Sequence, residues 1–142
     1  MKLYGIPNCG TVKKARVWLD KHGVAYEFVD FKKQPITESL ISEWLKQIGW
    51  QKLLKKTGPT WGQLPEAVKS SIKDDASALP LLLEKPNVIK RPVLVRNGKV
   101  LATGFSGREG NAPVEYENLL ARSFTPPLSR QRAREQTNNN DR

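Results

Sequence analysis

The chain holds one cysteine, Cys9, and one histidine, His22. In a reducing compartment a lone cysteine is most often a small buried hydrophobe, so its setting decides its role. Lys2 to Ile6 reads as a short strand closed by Pro7-Asn8. From Gly10 the pattern turns helical, with Val12, Ala15 and Leu19 at three- and four-residue spacing. Cys9 therefore falls where a strand turns into a helix. At that place the free N–H groups of Gly10, Thr11 and Val12 point toward the sulfur, and the helix dipole favours an anion. Such a setting lowers a thiol pKa from ~8.5 toward roughly 3.5–7.5. Lys13, Lys14 and Arg16 follow within two turns and add positive charge. Asn8 and Thr11 flank the sulfur, and Gly10 leaves it open to a bulky partner. The thiolate is the nucleophilic form, so Cys9 is expected to be a reactive thiol. His22, in Lys21-His22-Gly23, reads as a structural cation in the last turn of a helix. One cysteine and one histidine do not make a Cys/His zinc site, and no metal or bound cofactor is expected.

Arg91-Pro92 is the second pair with chemical meaning. A proline that opens an apolar strand removes a ladder donor and marks an edge, a bulge or a cis bond. Arg91 can hold a carboxylate or an oxyanion, because its guanidinium offers donors in a fixed fork.

These residues need elements to hold them. Gly23 stops the first helix, and Val24 to Phe31 alternates as a second strand. A strand–helix–strand opening favours a parallel pair. Thr37 caps a helix with Leu40, Ile41, Trp44, Leu45 and Ile48 on one stripe, ended by Gly49. Trp50 to Lys56 reads as a further short helical turn, and residues 57–62 as a loop. Two short helices follow, Pro65 to Ile72 and Leu79 to Lys85, with Pro65 and Pro80 in their first turns. Trp44, Trp50 and Trp61 read as core or docking residues. Ile89 to Val95 and Lys99 to Gly104 flank Asn97-Gly98, a strong hairpin signal. Val114 to Arg122 reads as a closing helix. The expected fold is α/β and thioredoxin-like: a mixed four-stranded sheet with a helical insertion, about 37–85, between its two halves. The expected domain spans 1–121, and the Pro/Arg/Asn-rich residues 122–142 are expected to form a disordered tail.

Composition narrows the class. The 142 residues are 38% hydrophobic and 27% charged, ordinary for a soluble protein, and no run is long enough to span a bilayer. The first residues lack the apolar region of a signal peptide, so a cytoplasmic protein without a membrane partner is expected. The net charge of +10 invites a nucleic-acid reading. However, the charge is spread as lysine pairs such as Lys32-Lys33 and Lys55-Lys56, without interleaved aromatics to stack on bases. Nucleic acid is not the expected partner.

The segment from Tyr4 to Arg16, Thr60-Trp61, and Ile89 to Leu94 resemble the arsenate reductase-like (ArsC/Spx/YffB) family, and most of all its YffB-type branch. The resemblance runs over residues 1 to about 121. It implies a thioredoxin-like fold with a helical insertion, a reactive cysteine at Cys9, and an active-site arginine before a cis-proline at Arg91-Pro92. The departures are specific. Spx-type regulators commonly carry a second cysteine three residues on, where this chain has Val12. Glutaredoxin-coupled arsenate reductases carry a histidine four residues before the cysteine, where this chain has Gly5, and further arginines, of which Arg108 lies nearest in position. The expected function is a glutathione-dependent, single-cysteine thiol reductase. Cys9 is its nucleophile, Arg91 binds a carboxylate, and Asn8, Gly10, Thr11 and Pro92 shape the pocket. Glutathione is the expected co-substrate and glutaredoxin a candidate partner. The alternatives are a glutaredoxin-coupled arsenate reductase and a non-enzymatic Spx-like module that contacts RNA polymerase.

Overall fold

The computed structural model describes residues 1–106 and 113–123, the last three by backbone alone. Residues 1–105 form one unit. Strand β1 (Lys2–Gly5) leads through helix α1 (Gly10–Lys21) to β2 (Glu27–Asp30). Five helices follow: α2 (Glu38–Ile48), α3 (Trp50–Leu53), α4 (Pro59–Gly62), α5 (Glu66–Ser71) and α6 (Asp75–Glu84). A 3-10 turn at Pro86–Val88 then leads into β3 (Val93–Arg96) and β4 (Lys99–Thr103). The sheet order is β2-β1-β3-β4. β1 runs parallel to β2 and antiparallel to β3, and β3 pairs antiparallel with β4. This is the mixed, thioredoxin-like sheet expected from sequence, with helices inserted between its halves. A second unit contains helix α7 (Val114–Ser123), which takes in Arg122 and Ser123. Arg108 and the rest of the proposed tail, 124–142, lie outside the described residues.

Strand alternation sends neighbouring side chains to opposite faces. Tyr4, Val29, Val93 and Val95 share one face and one buried cluster with Ile41, Trp44 and Leu45 of α2 and Leu82 of α6. Trp44 is fully buried and meets Tyr4 edge-on, with ring centroids 4.9 Å apart. Leu3 and Leu94, paired in register, belong to the opposite face. Gly5 points the same way as Leu3, and a Cβ on it would stand 2.8 Å from Val12 Cγ2. Helix α1 thus covers that face, burying Val12, Ala15 and Leu19, and its first turn lies against the bare backbone of Gly5.

Local signals explain the insertion. Thr37 Oγ1 accepts the Leu40 N–H at 3.2 Å, and Gly49 leaves α2 with φ +82°. Gln47 ties α2 to the hairpin: its Nε2 donates to Gly98 O at 2.8 Å, and its Oε1 accepts the Val100 N–H at 2.7 Å. The hairpin turns at Asn97 and Gly98, both with positive φ, as their types predict.

Several boundaries differ from the sequence expectation. Val24 to Tyr26 stay outside β2, because only residues from Glu27 onward pair with β1. Ile89 makes an isolated bridge to Leu54 rather than extending β3. The expected loop 57–62 contains the single turn α4. Helix α6 starts earlier than expected, because Asp74 and Ser77 form a capping box there. Pro80 consequently lies inside α6 instead of in its first turn.

Gly5→Ala is expected to destabilise the protein by about 1–3 kcal/mol, since the β-branched Val12 cannot turn aside. Thermal unfolding checks this; an unchanged midpoint would show that α1 can slide.

Candidate active site

Strand register places Cys9 and Arg91. Tyr4 of β1 lies opposite Val93 of β3, so Pro92 and Arg91 arrive beside Gly5 and Ile6, at the end of β1 that leads to Cys9. The connection is a tight turn in which the Cys9 N–H donates to Ile6 O at 3.3 Å. Cys9 is the N-cap residue of α1, with extended dihedrals of −94° and 125°, and its carbonyl accepts the Lys13 N–H at 2.9 Å. A strand that ends in Pro-Asn, followed by a residue in this conformation, aims the sulfur at the open amides of the first helical turn.

Cys9 is half-buried. Burial is the largest single influence on its thiol and pushes the pKa up. The Val12 amide, the Arg91 guanidinium as donor, the Thr11 amide and the Arg91 charge all pull it down. Together these prevail, and the thiol lies below its ordinary value. Donors and charge both favour the anion, so the arrangement shifts the Cys9 thiol toward its thiolate form.

Arg91 is itself oriented. Its Nη1 donates to Asn87 O at 2.8 Å and to Ile89 O at 3.4 Å. Its Nε is buried and has no hydrogen-bond partner among the described residues. Burying a donor that stays unpaired costs about 1–3 kcal/mol, which an acceptor brought by a ligand would recover. The Arg91–Pro92 peptide bond is cis, and Pro92 is buried with its carbonyl accepting the Gly104 N–H at 2.9 Å.

The remaining candidates divide. Thr11 is half-buried and supplies an amide to the sulfur. Asn8 and Gly10 are exposed, and a Cβ on Gly10 would meet open space. Gly10 therefore leaves room at the sulfur without being required by crowding. The cations expected from α1 do not act on Cys9. Arg16 turns to β2 instead, donating to Tyr26 Oη at 3.3 Å and lying 4.2 Å over the Phe28 ring. The charge comes from Arg91, eighty-two residues away in sequence. His22 is structural: it C-caps α1, places Nδ1 2.9 Å from Trp18 O, and stacks on Trp18 at 4.1 Å.

Next to this pair opens a cleft of about 460 Å³. Ile6 and Asn87, whose carbonyls receive Cys9 N–H and Arg91 Nη1, both line it. Thr60, Lys32, Glu84 and Lys85 supply polar groups. Of these, Thr60 belongs to the Thr60-Trp61 pair of the family resemblance and Lys32 to a lysine pair. Lys32 follows β2, whereas Glu84 and Lys85 sit at the end of α6, and no spacing rule links the two places. Among the described residues no group of His, Cys, Asp and Glu could hold a metal ion, and no helix is long and apolar enough to cross a membrane.

Comparison with known proteins gives a consistent result. The model of the ArsC family matches residues 4–111. A solved structure of a YffB protein is 46% identical, covers 74% of this chain and 90% of that one, and superposes with a TM-score of 0.68. The solution structure of an arsenate reductase (ArsC) related protein from Brucella melitensis is 43% identical, covers 84% of this chain and 92% of its own, and has a TM-score of 0.65. The global transcriptional regulator Spx of Streptococcus agalactiae is 29% identical over 131 residues, 87% of this chain and 90% of that protein.

Alkylation of Cys9 by iodoacetamide, followed against pH, is expected to rise at a pH below that of a free thiol. In Arg91→Ala the rise is expected at higher pH, because both a donor and a charge are lost. The sign for stability follows. A depressed thiol pKa stabilises the fold above the unfolded value, and that contribution fades as pH falls through the folded value. Coincident profiles for the two proteins would remove Arg91 from the account.

Proposed function

The chain belongs to the ArsC family, and from that premise we propose that it is a glutathione-dependent thiol reductase with Cys9 as its nucleophile. The observation that carries this reading is a single cysteine, beside a cleft, whose pKa is lowered by helix amides and by Arg91. In the first step the Cys9 thiolate attacks one sulfur of a glutathione mixed disulfide. The substrate S–S bond breaks, a Cys9–glutathione disulfide forms, and the substrate leaves as a thiolate that takes a proton from solvent. In the second step a thiolate of glutathione or glutaredoxin attacks the glutathione sulfur of that disulfide. Cys9 leaves again as thiolate, and a new disulfide carries away the oxidising equivalent. The lowered pKa helps in both steps, since it raises the fraction of attacking thiolate and makes Cys9 a better leaving group. Arg91 keeps a donor for the negative sulfur, and its free Nε suits a carboxylate of the incoming thiol.

Two details favour sulfur over arsenic as the target. The arsenate reductases that the sequence resembles place a histidine where this chain has Gly5, and Val12 occupies the space a side chain there would need. Val12 itself stands where Spx-type regulators commonly have their second cysteine, and it is fully buried. The second thiol of the cycle accordingly comes from another molecule.

Full-length protein treated with glutathione disulfide is expected to gain one glutathione, located on Cys9 by peptide mass, and Cys9→Ser none. In a reductase assay with a glutathionylated peptide, Arg91→Ala is expected to lose about 10–100-fold in kcat/KM, the worth of a charge-assisted hydrogen bond. A wild-type protein that forms no adduct and turns over no faster than Cys9→Ser would sink the proposal.

A further inference from the structure

The cleft beside the Cys9–Arg91 pair carries a charge pattern that the reductase chemistry does not explain. The charged residues among its lining are two lysines, Lys32 and Lys85, and one glutamate, Glu84. Glutathione at neutral pH is the complement, with two carboxylates and one ammonium. Building on the reductase reading above, we propose that this cleft is the recognition site for the glutathione moiety. Lys32 and Lys85 hold its carboxylates, and Glu84 holds its α-ammonium.

Three observations support the assignment. The first is position. Ile6 and Asn87 line the cleft, and the same two residues accept the Cys9 N–H and the Arg91 guanidinium, so the cleft starts where the reactive pair ends. The second is size: about 460 Å³ falls within the roughly 300–1,000 Å³ of clefts that take small molecules. The third is anchoring. The Lys32 N–H donates to Asp30 Oδ1 at 2.8 Å, fixing that backbone just past β2. Lys85 is the C-cap residue of α6, its N–H bonded to Leu81 O at 2.8 Å, and Glu84 ends the same helix. Lys32 and the Glu84–Lys85 pair thus stand at two ordered element ends. Glutathione carries its sulfur on the middle residue, so a disulfide at Cys9 leaves both charged ends free to reach the cleft wall. Phe31 and Pro86 give the peptide backbone apolar surface to lie on.

The test is the rate at which Cys9 forms a mixed disulfide with two reagents, glutathione disulfide and the uncharged bis(2-hydroxyethyl) disulfide, using the full chain. The quantity read is the ratio of the two rates, which cancels changes in thiolate reactivity. Wild-type protein is expected to favour glutathione disulfide, and the preference is expected to shrink with added salt. In the double variant Lys32→Glu/Lys85→Glu the ratio is expected to fall about five-fold, the combined worth of two exposed ion pairs. In Glu84→Gln it is expected to fall about two-fold. The double variant is also expected to gain relative rate with cystamine, whose two ends are cationic. Circular dichroism verifies that the variants are folded; the three residues are exposed, and for a variant that fails to fold the wild-type ratio and its salt dependence still decide. An unchanged ratio in the double variant, or a wild-type protein with no preference, overturns the cleft assignment while leaving Cys9 as the nucleophile. Absence of any adduct with either reagent defeats the reductase reading and this inference together.

Discussion

Cys9 and Arg91 meet because β1 and β3 pair antiparallel with Tyr4 opposite Val93. One antiparallel pairing sends β3 back past the end of β1, and the residues before β3 arrive at the residues after β1. A slip of one residue would reverse which side chains face the core, so the apolar faces lock this register. Tyr4, Val93 and Val95 must all meet the cluster built around Trp44, while Leu3 and Leu94 take the other side. The position of the arginine relative to the sulfur is therefore a by-product of core packing.

The state of the sulfur is a balance with a clear ordering. Partial burial works against the thiolate more than any single donor works for it. The pKa still falls below its ordinary value because several groups act together: two amides of the first helical turn and a guanidinium that contributes as donor and as charge. The helix end alone would leave this balance closer. Nearness of α1 to the sheet matters in the same way, since the Val12 that supplies one amide is the residue packed against Gly5. A bare glycine in β1, four residues before Cys9, thus serves the site through Val12.

The inserted helices do two jobs. Their apolar stripes cover one face of the sheet, and Gln47 fastens α2 to the hairpin turn through both atoms of its amide. The helices and their connections supply Thr60, Glu84 and Lys85 to the cleft, together with Asn87, whose carbonyl also orients Arg91. The insertion is thus both structural support and the source of most polar groups in the cleft beside Cys9.

The sequence by itself determined the elements whose signals are local. Val12, Ala15 and Leu19 gave α1, Thr37 and Gly49 gave the ends of α2, and Asn97-Gly98 gave the hairpin, because each depends on backbone geometry within a few residues. The same locality put Cys9 at a helix start and made it a candidate thiolate. Where a nearby competitor existed, the reading moved: the Asp74–Ser77 capping box began α6 early and left Pro80 in its interior. The tertiary structure alone decided which cation reaches the sulfur. Arg16 is seven residues away but turns to Tyr26 and Phe28, whereas Arg91 comes from a strand folded back across the sheet. Charges act through space, and sequence spacing fixes distance only within one element. For the same reason Lys32, Glu84 and Lys85 become neighbours of one cleft only after the chain has folded.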